Sequence, residues 1–148
     1  MIIERGDPRD PQVTALLQAS HALMESLFPP EDNHYLSIEA LCVPQIHFFV
    51  ARDGDTVLGC GAFKHMEDYG EIKSMFTSES ARGKGAASAI LTAIEAEAKA
   101  QSLPQLKLET GNLLHAAHAL YAKHGFTLCG PFGNYQDNAS SLFMEKPL

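Results

Sequence analysis

Arg82-Gly83-Lys84-Gly85-Ala86-Ala87 stands where a strand-like segment, Glu71 to Thr77, hands over to a strongly helical one, Ala86 to Ala100. The first turn of a helix carries about four backbone N–H groups without intrahelical partners, and the helix dipole adds partial positive charge, so such a junction holds an anion well. Gly83 and Gly85 admit backbone angles that a Cβ forbids and let the main chain approach a ligand, while Arg82 and Lys84 bring formal positive charge. The six residues read as a pyrophosphate seat. In isolation they are equally an exposed turn, so their surroundings must arbitrate.

Two other phosphate loops are disfavoured at once. The P-loop needs Lys-Ser/Thr after its last glycine, and here Gly85 is followed by Ala86. The dinucleotide fingerprint G-x-G-x-x-G fails at its sixth position, Ser88, and no acidic residue closes an obvious second strand about twenty residues on.

Outside the glycine stretch, Met1 to Arg5 reads as an opening strand, and Asp7-Pro8 and Asp10-Pro11 supply helix-start chemistry. From Val13 to Phe28 the positions Leu16, Leu17, Leu23, Met24 and Leu27 recur at helical spacing until Pro29-Pro30 stops the helix. A short second helix is expected from Ser37, its N-cap, to Leu41. Ile46 to Arg52 and Thr56 to Met66 read as a hairpin about Asp53-Gly54-Asp55, and Glu71 to Thr77 as the next strand of a meander. In the third helix Ala87, Ile90, Leu91, Ile94 and Ala98 form one apolar stripe. Leu106 to Glu109 reads as a strand, Gly111-Asn112 turns into a fourth helix ending near His124 with Gly125 as its cap, and Phe126 to Cys129 and Ser141 to Glu145 close the sheet. The order is β α α β β β α β α β β.

A chain of 148 residues is the size of one domain, and a single domain over 1–148 is expected. With 11 Lys and Arg against 18 Asp and Glu, the net charge of −7 argues against nucleic-acid binding, which depends on clustered cations. The start Met1-Ile2-Ile3-Glu4-Arg5 lacks a signal-peptide pattern and no apolar run reaches membrane-span length, so no membrane association and a cytoplasmic location are expected. Cys42, Cys60 and Cys129 are odd in number and form no C-x-x-C pair; free thiols are the default.

The order of elements, the stretch Arg82 to Ala87, and Leu120-Tyr121-Ala122-Lys123-His124-Gly125-Phe126 together resemble the GCN5-related N-acetyltransferases over nearly the whole chain. Arg82, Gly85 and Ala87 meet the family pattern Q/R-x-x-G-x-G/A, and Leu120, Tyr121, Lys123, Gly125 and Phe126 meet L-Y-x-K-x-G-F. Pro29-Pro30-Glu31, Gly70-Glu71-Ile72-Lys73-Ser74-Met75, Leu108-Glu109-Thr110-Gly111 and Cys129-Gly130-Pro131-Phe132 are similar to a bacterial subgroup of small single-domain members. The chain departs from many members in placing Asn112 nine rather than seven residues before Tyr121, so no cofactor contact is carried over to it.

The resemblance implies an α/β (α+β) acyl-CoA acyltransferase fold, a mixed and mostly antiparallel sheet of six to seven strands flanked by four helices. It also implies acetyl transfer from acetyl-CoA to an amine by direct attack in a ternary complex. Arg82, Gly83, Lys84, Gly85, Ala86 and Ala87 would hold the CoA pyrophosphate, Met75, Phe76 and Thr77 would pair with the pantetheine arm, and a bulge at Met75 or Phe76 would turn an N–H toward the thioester carbonyl. Dimerisation is common in this fold, and the sequence identifies no interface. The acceptor is a small or amino-acid-like amine; a protein N-terminus or lysine is the alternative, as is a non-catalytic acyl-CoA sensor.

An amine of pKa near 10 is about one part in a thousand unprotonated at pH 7, so a base is required. Glu71 is the first candidate and Glu109 the second. Tyr121, by resemblance, donates a proton to the departing thiolate; otherwise it is a packed face of its helix with Leu114, Ala117 and Leu120. His115 and His118 sit at i,i+3 without a third ligand, so no metal site is expected. His34 follows the loop Pro29-Pro30-Glu31-Asp32 and reads as an exposed histidine near the acceptor side; Cys60 and Cys129 read as inert core thiols. Glu31, Asp32, Glu67, Asp68 and Asp137 lie on loops expected around the acceptor and would favour a cationic amine.

Overall fold

Alternating and near-continuous apolar runs between residues 46 and 77 produce a sheet buried on both faces, each covered by helix. The computed structural model describes residues 1–148. Its elements are β1 (Ile2–Arg5), α1 (Pro11–Leu27), β2 (Ile46–Asp53), β3 (Thr56–His65), β4 (Gly70–Thr77), α2 (Ala86–Ala100), β5 (Gln105–Gly111), α3 (His115–Lys123), β6 (Thr127–Cys129) and β7 (Ser141–Pro147). The strands form one sheet in the order β1-β2-β3-β4-β5-β7-β6, antiparallel throughout except at β4–β5.

That exception parts the sheet. β4 and β5 pair only at their first residues, Gly70 with Leu106 and Glu71 with Lys107. Beyond them β4 continues along β3 as far as Thr77 and β5 continues along β7 as far as Gly111. The two halves of the sheet therefore part, and a cleft opens between the ends of β4 and β5.

Each face of the sheet has its own packed layer. α1 starts where Asp10 accepts a hydrogen bond from the Gln12 N–H at 3.1 Å, with Pro11 opening the helix, and buries Val13, Leu16 and Leu17 against Phe48, Val50, Cys60 and Ala62. α2 buries Ile90, Leu91, Ile94 and Ala98 against Phe49, Phe63, Ile72 and Leu106, joined from α3 by Tyr121 and beyond it by Phe126. Each such aliphatic or aromatic side chain contributes about 1.5–3 kcal/mol on full burial. No helix is long and apolar enough to cross a membrane.

The sheet has seven strands as expected, but the helix count is three rather than four. Ser37 to Leu41 closes only a turn of 3-10 helix, Glu39–Cys42, although the Ser37 hydroxyl does accept the Ala40 N–H at 3.1 Å. With Pro44 close behind, the segment is too short for the hydrogen bonds that offset helix nucleation. The last helix begins at His115 rather than at Asn112, whose N–H is drawn to the Ser140 carbonyl at 2.8 Å.

Candidate active site

The glycine junction has the backbone that an anion seat requires. Gly83 and Gly85 take φ of 83° and 82°, in the left-handed region, and Gly85 is the N-cap of α2. The amides of Gly83, Gly85, Ala86, Ala87 and Ser88 take no backbone acceptor, whereas those of Arg82 and Lys84 are used in the preceding turn. Arg82 through Gly85 are exposed and Ala86 is buried. A cluster of free amides at the head of a fifteen-residue helix, flanked by two cations, fits a pyrophosphate. Ser88 Oγ lies 2.7 Å from His124 Nε2, tying this turn to the end of α3, the helix that carries Tyr121.

A bulge marks β4 at the mouth of the cleft. Cys60 pairs with Phe76 but Ala62 with Lys73, so one residue of β3, Gly61, faces two of β4, Ser74 and Met75. Ser74 takes φ of 58° to accommodate the extra residue. The bulge reverses the facing of the strand: Ile72 and Met75 both pack in the α2 layer, and Phe76 turns to the α1 layer. It falls at Ser74–Met75, at the early edge of the expected Met75-or-Phe76 position. Thr77 closes the strand opposite Gly59.

Between the parted strands lies a cavity of about 130 Å³, lined by Ser74, Met75, Glu109, Tyr121 and His34 among others, with Met24 of α1 and Phe28 just past its end forming a wall. Tyr121 is buried, its ring edge-on to Phe126 at 5.6 Å. Burial and the nearby Glu109 carboxylate push its phenol well above the ordinary tyrosine range, so it stays protonated and able to donate. Burial likewise raises Glu109 above the ordinary carboxylate range, against the lowering effect of a hydrogen bond from Ser141 Oγ at 2.7 Å.

Glu71 is held differently. Its Oε2 accepts the Tyr135 hydroxyl at 2.6 Å and lies 2.8 Å from Lys73 Nζ, and Lys73 Nζ also donates to the Tyr135 oxygen at 2.6 Å. Glu71 and Lys73 share a face because they are two apart on a strand. Tyr135 arrives from the β6–β7 loop, 64 residues away. Burial and the Glu71 carboxylate raise the Tyr135 phenol far above its usual range. The closed triangle engages one Glu71 oxygen twice and leaves Glu109 as the less encumbered carboxylate at the cavity.

Outside this cavity a wider vestibule of about 690 Å³ lies between the 31–36 loop and the 133–138 loop, sharing Asp32, His34, Tyr35 and Lys73 with the inner one. Of the acidic loop residues, Glu31, Asp32 and Asp137 line it, whereas Glu67 and Asp68 line neither space. His34 is half-buried, with an Nε2 that is buried and has no hydrogen-bond partner. His115 and His118 stack edge to face at 5.7 Å, and His118 Nε2 lies 2.8 Å from the Gly111 carbonyl oxygen. Cys60 is buried, and that burial pushes its thiol up to about 12. Cys129 is only half-buried, on the short edge strand β6.

Sequence reasoning missed Lys73 and Tyr135. Lys73 carried a signal, since it alternates with Glu71 on a strand. Tyr135 carried none, because its role exists only through contacts with residues remote in the chain.

The family model described as acetyltransferase (GNAT) family matches residues 13–126. The chain is 43% identical to the IAA acetyltransferase of Azospirillum brasilense over 99% of its own length and 97% of that protein's. Among solved structures it is similar to a candidate acyl-CoA N-acyltransferase of Klebsiella pneumoniae, 33% identical with a TM-score of 0.83, covering 99% of this chain and 97% of that one. The PaiA N-acetyltransferase of Thermoplasma acidophilum, solved with coenzyme A, is similar in fold at 15% identity and a TM-score of 0.73, with full coverage of both chains.

Proposed function

The chain belongs to the GNAT family of acetyltransferases, and from that premise we propose that it moves acetyl from acetyl-CoA to the primary amine of a small or amino-acid-like acceptor in a ternary complex. Residues 1–148 work as one catalytic domain. The observation that carries this reading is the cleft between β4 and β5, where Glu109 and Tyr121 line the same cavity as the Ser74–Met75 bulge.

In this reading the amides of Gly83, Gly85, Ala86 and Ala87, with Arg82 and Lys84, hold the pyrophosphate, and Met75, Phe76 and Thr77 run beside the pantetheine arm. Acetyl-CoA, when bound, supplies an activated acyl group and a thiolate leaving group. The bulge removes Ser74 and Met75 from regular pairing with β3, which suits the Met75 N–H to the thioester oxygen. Glu109 takes the proton from the amine, its raised pKa bringing it nearer to working pH. Tyr121 protonates the departing sulfur and is reprotonated by the second N–H proton that the nitrogen loses as the amide forms, so that one proton in all is left to export. Glu71, the first candidate for the base, instead serves as the anion that fixes Lys73 and Tyr135 at the acceptor side.

CoA release measured across a panel of small amines tests the reading. Turnover with at least one amine is expected; acetyl-CoA binding without turnover on any amine, peptide N-terminus or lysine peptide would leave the chain an acyl-CoA sensor.

A further inference from the structure

The acceptor chemistry creates a proton that must leave. An amine arrives mostly as ammonium at neutral pH, so each transfer sheds one proton into a space of only about 130 Å³, and Glu109 must lose it again before the next turnover. Four residues line both that space and the vestibule, Asp32, His34, Tyr35 and Lys73, and His34 is the one imidazole among them. His34 lines the inner cavity together with Ser74, Glu109 and Tyr121, and lines the vestibule together with Glu71, Lys73 and Tyr135.

His34 also has the spare valence. Nearby, Asp32 Oδ2 is taken by Ser140 Oγ at 2.6 Å, and Glu71 Oε2 by Tyr135 and Lys73. Its own Nε2 is buried without a partner. Buried polar atoms in native folds are nearly always paired, so an orphan at a site calls for a functional partner. The other orphaned imidazole nitrogen, Nε2 of His21, belongs to a ring stacked on Tyr35 at 4.0 Å that lines neither space. The His34 ring lies edge-on to Tyr135 at 5.2 Å, and Tyr135 is itself tied to Lys73 and Glu71.

We propose that His34 is the proton outlet of the acceptor site, taking a proton on Nε2 from the acceptor ammonium or the Glu109 carboxyl and releasing one from Nδ1 to water in the vestibule. This rests on the acetyl-transfer reading above. In the step an N–H bond forms at Nε2 as the donor's N–H or O–H bond breaks, and the Nδ1–H bond then breaks to solvent; rotation of the ring restores the starting tautomer. No electrons are exchanged, and one proton is exported for each ammonium converted to amide. An imidazole suits this task because its two nitrogens can gain and lose protons on opposite sides of one ring.

The test compares wild type, His34→Ala and His34→Gln with a turned-over amine and, as a second arm, in the slow hydrolysis of acetyl-CoA by water alone. Expected are a fall in kcat of roughly tenfold or more in both variants, an acetyl-CoA Kd by calorimetry within about twofold of wild type, and recovery of the Ala variant when free imidazole is added. Glutamine fills the space and hydrogen-bonds but cannot carry the proton. Wild-type rates in His34→Ala, full recovery by glutamine, or no response to imidazole would each overturn the outlet. Wild-type protein that releases no CoA to any amine or to water would overturn the acetyl-transfer reading, and the outlet with it.

Discussion

Gly61 of β3 lies directly against the Met75 thioether of β4: a Cβ built on Gly61 would overlap Met75 Sδ and come within 2.8 Å of Ile90 Cγ2. The bulge and the glycine are thus one feature, since the extra residue of β4 is accommodated where β3 has no side chain. Gly61→Ala is expected to cost about 1–3 kcal/mol through overpacking, read as a lowered Tm of roughly 2–4 °C per kcal/mol for a chain this size. Acetyl-CoA affinity should fall with it. An unchanged melting curve would mean that Met75 and Ile90 yield freely.

Gly85 tests the anion seat apart from packing. A Cβ there meets nothing within 4 Å, so any penalty comes from its φ of 82°. Gly85→Ala should cost about 1–2 kcal/mol of backbone strain and weaken acetyl-CoA binding by roughly tenfold in calorimetry. Gly85→Asn should be milder, because asparagine visits this region more readily. Equal binding by wild type and the alanine variant would remove the seat from this turn.

Tyr121→Phe preserves the edge-on contact with Phe126 and deletes only the hydroxyl. A fall in kcat of roughly a hundredfold, with acetyl-CoA binding and Tm close to wild type, is the expected result of stopped-assay kinetics and calorimetry. Turnover left intact at every pH would leave Tyr121 a packing residue.

Glu109 has a pKa raised chiefly by burial, and the base form is the ionised one. The rate should therefore be lost as pH falls through that raised value, giving an acid limb in kcat/KM above the ordinary carboxylate range near about 4.3. Glu109→Gln should abolish the limb and most of the rate. The same shift makes folding stability fall as pH rises through the raised pKa, so the glutamine variant should melt higher than wild type at neutral pH and not below the ordinary range. A wild-type acid limb that persists in Glu109→Gln assigns the base elsewhere.

Cys60 is buried, with its thiol pushed up to about 12. It should resist alkylation at mildly alkaline pH in the folded protein, and Cys60→Ala should turn over within about twofold of wild type. Rapid modification coupled to loss of activity would instead mark Cys60 as a reactive thiol able to carry the acyl group.

Most elements were legible locally. The apolar stripe of α2, the Asp53-Gly54-Asp55 hairpin, the Asp10-Pro11 start of α1 and the Gly125 end of α3 each depend on signals within a few residues of one another. The misread segment, Ser37 to Leu41, carried a valid cap but too few residues to sustain a helix. The turn at Gly83 and Gly85 was legible for the same reason as the other turns, because a left-handed φ favours glycine, whereas the one at Ser74 is imposed by the bulge and left no such mark.

The site was legible in its parts and not in its connections. Local spacing and side-chain chemistry nominated the glycine turn and the two carboxylates Glu71 and Glu109, and the resemblance to the acetyltransferase family nominated Tyr121. Which carboxylate is tied to a cation, where the bulge falls and what His34 faces depend on the point at which β4 leaves β5 and on a loop that brings Tyr135 across 64 residues to Glu71. Such partnerships are set by the packing of distant elements against one another, and no window of neighbouring residues contains the energy that decides them.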